Sequence, residues 1–338
     1  MNTIYDMWGK PLRKYGFALP KRLEFAQPAL DDVRPVDPVL TNLSIGFKNE
    51  KFVWDKIAPP AEVDQMSGTF FLYTRDFWMR RQQGLERAPE GEYLRVGYGV
   101  STATYKTAEY GAEKLLGDTV RAGSQTPEDL QEVDVAFLTN LIQMELEKLV
   151  AADCFVTGVW GTSTTLTGTN QWSDYDGSDP IANADTAIRT IHRNTGAKPN
   201  LLVVGRLAWQ NLKEHPLVID KYKYTQPGVM TEELVAKVLG VDELVVGDSV
   251  ENTAAEGATY VGADIWTDNA LFVVKKSQGL QVPAGAFTFM WNEKGNVPWA
   301  IETYREDKRR GDVTRVFTHA DPRIVSAQHG YLFLDTTA

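Results

Sequence analysis

The sequence contains few of the residues from which disulfides, metal sites and hydrolytic centres are built. Cys154 is the only cysteine among 338 residues, which excludes both an intrachain disulfide and a cysteine-based metal site. We expect Cys154 to be a small buried apolar residue. The four histidines, among them His192 within a helix and His215 at a helix end, are not spaced as metal ligands. At His215 we expect a protonated ring, because a cation suits the carboxyl end of a helix.

Long apolar runs and short catalytic motifs are absent as well. No run of about 18 apolar residues occurs, so no membrane-spanning helix is expected. There is no nucleophile elbow, phosphate-binding loop or dinucleotide-binding glycine pattern. The loop from Asp174 to Asp179 has the look of a calcium loop but lacks the closing glutamate, and Asx turns with a helix cap would explain it equally well. The sequence therefore predicts no catalytic residue, cofactor or metal, and a protein that is not an enzyme.

Net positive charge is also lacking, since the formal charge is −10. Free-standing nucleic-acid binders are usually basic, so tight wrapping of nucleic acid is not expected. One stretch near the N-terminus is a local exception, with five cations and no acid: Lys10, Arg13, Lys14, Lys21 and Arg22. Two roles remain open for it. The stretch could lie near nucleic-acid phosphates, or it could pair with acids of a neighbouring subunit.

Residues 1–60 have the composition of an extended arm. Seven prolines each fix φ and remove a backbone donor. The arm nevertheless carries eight aromatic residues, among them Trp8, Phe25 and Trp54. Because an extended segment cannot bury these side chains by itself, we expect the arm to dock on its own subunit or on a neighbour.

Residues 61–117 predict a long β-hairpin. Thr69–Tyr73 and Val96–Thr104 are rich in strand-forming residues, and the segment between them is dense in charge. A two-stranded ribbon is marginal in water, so we expect the hairpin to lean on another surface. Its charged tip gives candidate inter-subunit contacts at Arg80, Arg81, Glu86, Arg87, Glu90 and Glu92.

Pro127–Ala152 is the strongest helix prediction. Thr126 can cap it, proline occupies the first position and two acids follow. Two apolar rows run along it, one through Phe137 and Leu141 and the other through Leu138 and Ile142. The apolar surface is therefore broad, and we expect burial over much of the circumference.

The remainder alternates helices with short apolar strands up to Trp291, and then gives three or four short strands from Trp299 to Leu334. Asp242 and Glu243 are expected to be solvated. A basic cluster is interleaved with acids and consists of Arg305, Lys308, Arg309 and Arg310. A solvated turn and inter-subunit ion pairing explain this cluster equally well.

Several blocks, taken in order, resemble the major capsid proteins of tailed bacteriophages, whose fold is shared with encapsulins and herpesvirus capsid floors. The stretches that carry the resemblance are TNLSIGFKNEKFVWDKIAPPAEVD (41–64), VGYGVSTATYKTAEYGAEKLL (96–116) and SDPIANADTAIRTIHRNTGAKPNLLVVGRLAWQNLKEHP (178–216). Weaker matches in the same order are residues 223–257 and the terminal GYLFLD (330–335). None of these is a short signature, and the specificity comes from their order and extent.

The resemblance implies an α+β fold, with a name for each region. Residues 1–60 would be the N-terminal arm, 61–117 the extended hairpin loop and its return, and 118–179 the peripheral domain with a spine helix at 127–152. Residues 180–296 would be the axial α/β domain, and 297–338 the C-terminal strands of the peripheral domain.

The implied function is that of a major capsid subunit that self-assembles into an icosahedral shell around phage DNA. Pentamers and hexamers of the chain itself, scaffolding and portal proteins, a possible decoration protein and weak, non-specific contact with packaged DNA would be its partners; no membrane is implied. The virion capsid would be its location, after assembly in the host cytoplasm. A scaffolding region of the kind that some members carry at their start is expected to be a separate protein here or already removed.

One property of some members is not expected here. Those members join a lysine of the extended loop to a neighbour's asparagine, but residues 58–105 contain no lysine. Two other functions remain open. The chain could be an encapsulin-like shell around cellular cargo, which a neighbouring cargo-enzyme gene would indicate, or an α/β enzyme using residues 180–296, which a pocket lined by groups with perturbed pKa values would indicate.

Overall fold

The computed structural model describes residues 49, 51–73, 75–87, 89–123, 127–222, 231–275, 284–291 and 299–338. The basic stretch from Lys10 to Arg22, and the rest of the predicted arm before residue 49, lie outside the described residues. The same holds for Thr126, the predicted cap of the long helix.

The α-helices of the described chain all lie before Glu243, and strands predominate from there to the end. The helices are α1 (Trp54–Ile57), α2 (Arg75–Trp78), α3 (Asp118–Ala122), α4 (Pro127–Cys154), α5 (Pro180–Thr195), α6 (Arg206–Glu214), α7 (Pro216–Tyr222) and α8 (Glu232–Leu239). The strands are β1 (Pro60–Val63), β2 (Ser67–Tyr73), β3 (Val100–Lys106), β4 (Ala108–Gly117), β5 (Thr162–Thr165), β6 (Leu201–Gly205), β7 (Glu243–Gly247), β8 (Val250–Asn252), β9 (Gly262–Asp264), β10 (Ala270–Val273), β11 (Ala286–Trp291), β12 (Ala300–Glu306), β13 (Gly311–Ile324) and β14 (Gly330–Leu334).

The long helix α4 confirms the helix prediction and extends it to Cys154. Only one of its two predicted apolar rows is buried, the row through Leu138 and Ile142. The other row leaves Phe137 and Leu141 exposed, because this part of α4 packs on β4 and β13 from one side. The expected burial over much of the circumference was therefore wrong. The second half of α4 is the more deeply buried one, through Leu146, Val150 and Cys154, but it too keeps an exposed side.

The first sheet has the order β1-β11-β13-β12, with β4 paired to the other side of β13. β13 is 14 residues long and is the central strand. Its first half pairs with both β12 and β4, and its last six residues pair with β11. The expectation of only short strands after Trp299 was wrong for β13. Pro322 does not end this strand, since it lies opposite Thr288 within an intact antiparallel pair.

The second sheet has the order β5-β14-β10-β6-β7. Helices α5 to α8 bury one face of it, with Leu202, Val204 and Phe272 in that core. The other face shares a core with α1, the second half of α4 and the first sheet, with Val203, Leu271 and Met290 among its members. The two sheets are thus packed around one end of α4.

Several strands lie in a different sheet from the one that the domain expectation implied. β14 belongs to the second sheet, between β5 and β10, rather than with the strands of the first. β11 belongs to the first sheet, and β4 pairs with β13 over ten residues instead of completing the hairpin. A short apolar strand is compatible with any buried sheet, so its sequence cannot say which partner it takes.

Candidate assembly surfaces

The predicted hairpin is formed by β2 and β3, which pair in antiparallel register from Ser67–Lys106 to Tyr73–Val100. Its root is held on the first sheet by aromatic contacts. The ring of Tyr105 stacks on Phe289 at a centroid distance of 4.7 Å, and Phe70 meets the same ring at 5.2 Å. The Lys106 N–H also donates to Asp321 Oδ2 at 2.9 Å. The hairpin therefore leans on its own subunit at its root.

Beyond the root the hairpin exposes large apolar side chains. Phe71 points away from the first sheet and is 67% exposed, and Trp78 and Tyr93 are 66% and 78% exposed. The full set of exposed large apolar residues here is Met66, Phe71, Phe77, Trp78, Met79, Leu85, Tyr93, Leu94, Val96, Tyr98 and Val100. The expectation of a mainly charged tip was incomplete. Large apolar residues lie between the charges, and they remain exposed even though Trp78 and Tyr98 contact each other at a centroid distance of 5.9 Å.

The six charged candidates at the tip are all exposed. Arg87 donates to the Gly91 carbonyl at 2.6 Å and lies 4.4 Å from the centre of the Tyr93 ring. Glu90, between Pro89 and Gly91, has a φ of 67°, which bends the backbone into a turn at the tip. Arg75, nearer the root, reaches Gln328 at 3.2 Å. The tip is therefore shaped by its own short-range contacts.

The second charged candidate, around Arg305, is engaged within the subunit. The Arg305 guanidinium makes two 2.6 Å hydrogen bonds to Asp118 and one of 3.2 Å to Asp312. Arg121 also donates to Asp312, and these hydrogen bonds hold the pKa of the Asp312 carboxyl below its ordinary value. The network joins α3 to the turn between β12 and β13.

Arg309 and Arg310 lie in that same turn and are exposed. Arg309 pairs with Glu306 at 3.5 Å, and the backbone carbonyl of Arg310 accepts the Asp118 N–H at 2.9 Å. The turn therefore presents Arg309 and Arg310 at the surface and uses Arg305 to fix its own shape.

The most densely bonded polar group in the described residues is Glu147, on α4, which the sequence analysis did not single out. Its side chain is 0% exposed. The carboxylate accepts from the backbone N–H groups of Val53 and Trp54, the Ser249 hydroxyl and the Trp266 indole at 2.6–3.1 Å. Burial raises the pKa of this carboxyl, while the hydrogen bonds act in the opposite direction. The signal in the sequence was an acid directly after Leu146 and three residues before Val150, both apolar positions of the helix.

His215 corrects the expectation of a cation at a helix end. The ring is fully buried, and its Nδ1 accepts the Leu217 N–H at the start of α7. Nε2 then carries the proton and donates to Ser178 Oγ at 3.0 Å, while that hydroxyl donates to the Asp174 carbonyl. Burial lowers the pKa of His215. The Ser178–His215 pair therefore caps a helix and is not arranged as a nucleophile and its base, since the ring donates to the serine.

The remaining acidic candidates also have structural partners. Asp174 Oδ1 accepts from the N–H groups of Asp176 and Gly177, and Asp179 caps α5. Glu243, expected to be solvated, binds both Lys56 and Lys275, which lower its pKa against the opposing effect of burial. No cluster of three potential metal ligands is found in the described part of the chain. Within the same residues, none of the helices has the length and apolar character needed to cross a bilayer.

Comparison with known sequences finds capsid proteins of phages. The sequence family described as "Phage major capsid protein E" matches residues 158–325. The major capsid protein of Burkholderia phage BcepMu is 28% identical over 312 residues, which cover 90% of this chain and 97% of that protein. By sequence the resemblance therefore extends over nearly the whole chain.

Solved structures show the same fold. A phage-related protein from Bordetella bronchiseptica superposes with a TM-score of 0.68 at 21% identity, covering 90% of this chain and 98% of that one. The capsid protein of cyanophage P-SCSP1u gives 0.59 at 12% identity, with 85% and 89% covered. The SrpI encapsulin of Synechococcus elongatus gives 0.51 at 9% identity, with 90% and 98% covered.

The fold thus defines the structural class, the α+β fold that phage capsid proteins and encapsulins share. Within that class the sequence relatives are phage proteins, and the chain is a major capsid protein of phages. The encapsulin likeness extends to the fold alone.

Proposed function

We propose that copies of this chain assemble into a closed icosahedral shell of pentamers and hexamers that encloses phage DNA. The observation that carries the proposal is the hairpin, a ribbon that is anchored at its root and exposes ten large apolar side chains between Phe71 and Val100. Contiguous exposed apolar surface of this kind marks an interaction site in a soluble protein. A second copy is the occupant that a shell provides.

The side chains of the hairpin suit a contact that is weak between two subunits but stabilising when it is repeated over many subunits. Exposed ion pairs such as those available to Arg80, Arg81 and Glu86 contribute about 0–1 kcal/mol each. Burial of aromatic residues such as Trp78 and Tyr93 against a neighbour adds apolar stabilisation of about 25 cal/mol per Å². Weak single contacts let a wrongly placed subunit leave, and the same contact repeated over a shell still holds it together.

The turn between β12 and β13 is a second proposed contact. Arg309 and Arg310 are exposed there and can pair with acids of a neighbour, whereas Arg305 is already committed to Asp118 and Asp312. We therefore assign the inter-subunit role to Arg309 and Arg310 and a supporting role to Arg305.

The N-terminal basic stretch is proposed to face the interior, near packaged DNA. Its five cations on a chain of net charge −10 support this assignment, since phosphate attraction is independent of sequence and weakened by salt. Photocrosslinking of lysines to DNA in filled particles tests it. Crosslinks at Lys10, Lys14 or Lys21 would support it, whereas labelling of these lysines by an impermeant reagent from outside would contradict it.

Assembly is proposed to take place in the host cytoplasm with scaffolding and portal proteins. A decoration protein is a further proposed partner of the assembled shell. Negative-stain electron microscopy of the purified chain, with and without a co-expressed scaffold, tests the main proposal. Shells, tubes or rings of capsomers are expected. A strictly monomeric species at every concentration and salt, with or without scaffold, would refute it.

A further inference from the structure

The N-terminal arm enters the described part of the subunit through residues 49 and 51–58, here called the anchor segment. Val53, Trp54 and Ile57 of this segment are buried in the core that both sheets share. The anchor segment contains α1, which is only four residues long. A helix this short is not stable by itself, so its position depends on the contacts that hold it.

The start of α1 is capped from outside the segment. Val53 is the cap residue, and its own side chain has no oxygen to accept a hydrogen bond. The Glu147 carboxylate accepts instead, from the Val53 N–H at 2.9 Å and from the Trp54 N–H at 2.8 Å. These are two of the N–H groups that a helix start leaves without a partner. A buried residue of α4 thus sets where the arm meets the body.

The same carboxylate also holds the loops beside β7 to β10. Ser249, directly before β8, donates its hydroxyl to Oε1 at 3.0 Å, and the Trp266 indole, between β9 and β10, donates to Oε1 at 2.6 Å. All four donors are neutral, and they come from two parts of the chain separated by about 200 positions in the sequence. Glu147 is therefore shared between the anchor segment and the second sheet.

The outer contacts of the anchor segment also connect it to β7 and β8. Asn49 exchanges two hydrogen bonds with the backbone of Val250, and Lys56 pairs with Glu243 on β7 at 2.8 Å. These contacts are exposed or half-exposed, so each is weak, whereas the Glu147 contacts are fully buried. Loss of Glu147 would leave buried donors without an acceptor, which surface contacts cannot replace.

We propose that Glu147 is a positioning residue that fixes the exit of the N-terminal arm and couples it to the loops around Ser249 and Trp266. The consequence for the shell rests on the proposed function: the direction in which each subunit sends its arm is set by the body of that subunit. The coupling itself is a property of the single subunit and can be measured without assembly.

Hydrogen–deuterium exchange on the free, full-length subunit tests the coupling. Glu147→Gln keeps the size but turns an NH2 group towards the donors. We expect exchange of residues 51–58 to become about tenfold faster, while β6 and β10 exchange as in the wild type. Glu145→Gln is the matched control, an exposed glutamate on the same helix, and should change nothing. Unchanged exchange at 51–58, or an equal increase everywhere, would overturn the proposal.

Trp266→Phe covers the case in which the glutamine variant does not fold. It keeps the aromatic packing and removes one donor that makes no hydrogen bond to the anchor segment. Coupling requires faster exchange of the Val53 and Trp54 amides in this variant, and a purely local role for Trp266 predicts no change there. Particles of Glu147→Gln should in addition be more variable in diameter than wild-type particles. If the wild type forms no particles, the proposed function fails while the exchange result remains interpretable.

Discussion

Two adjacent phenylalanines lie on opposite faces of the hairpin. One contacts the subunit itself, and the other is proposed to contact a neighbour. Phe70 points inward and meets Phe289, and Phe71 points outward and is 67% exposed. Replacing each by alanine removes the same atoms from opposite faces of one ribbon. Because strand residues alternate between faces, the two variants are matched controls for each other.

The structure sets a different magnitude for each variant. Phe70→Ala removes a half-buried ring and an aromatic pair, which should lower the free energy of unfolding by about 2 kcal/mol. Phe71→Ala touches little within the subunit and should change it by less than about 0.5 kcal/mol. If a neighbour covers the exposed part of Phe71 in the shell, Phe71→Ala loses the burial of roughly 100 Å² of apolar surface, at about 25 cal/mol per Å². That is about 2.5 kcal/mol per contact, or roughly 60-fold in pairwise association.

Denaturant unfolding of the free subunit and light scattering during assembly measure the two effects. The expected pattern is a less stable Phe70→Ala subunit, and a normally stable Phe71→Ala subunit that assembles only at much higher concentration. Assembly of Phe71→Ala at the wild-type concentration would refute the assignment of the outer face as an inter-subunit surface. A stability loss in Phe71→Ala equal to that in Phe70→Ala would refute the description of the hairpin root.

Three further predictions concern the hairpin and the buried histidine. Trypsin should cleave after Arg80, Arg81 or Arg87 quickly in free subunits and slowly in particles, because neighbours cover the tip; equal rates would argue against that contact. Mature particles boiled in denaturant should migrate as a single band, because residues 58–105 contain no lysine for a covalent link; a ladder of multiples would contradict this. Burial lowers the pKa of His215 in the folded state, so the unfolded chain takes up its proton first as pH falls below about 6.5 and stability declines. Replacing His215 by glutamine should flatten the fall in unfolding free energy between pH 6.5 and 5, measured by denaturant titration against the wild type, and an unchanged slope would show that the ring is not the titrating group.

Local elements were predictable wherever capping and periodicity agree. Helix α5 begins at Pro180 after the Asp179 cap and ends before Gly196, whose φ is 70°. Each of these features is a property of neighbouring residues in the sequence. The prediction for His215 failed because its place at the end of one helix was visible, but its second role as the cap of α7 and its burial were not.

The position of the proposed assembly surface could be predicted from the sequence, but the character of its exposed side chains could not. A charged hairpin between residues 61 and 117, with no lysine before Lys106, could be read from the sequence, together with the six charged tip residues. The exposure of the apolar residues between those charges depends on the path of the ribbon in the fold. The hydrogen bonds of Arg305 also depend on the fold, because their partner Asp118 is 187 positions away in the sequence. Such distances carry no periodic signal.

By itself the sequence determined the local elements and, through the order of its blocks along nearly the whole chain, the resemblance to phage capsid proteins. Hydrogen bonding and side-chain packing within a few residues are enough to specify a helix or a strand. Only the tertiary structure decided which sheet each strand joins, which face of α4 is buried, and that Glu147 connects the anchor segment to the second sheet. These depend on contacts between distant residues, where any apolar strand or buried donor of suitable shape would fit, and only the folded chain selects the partner.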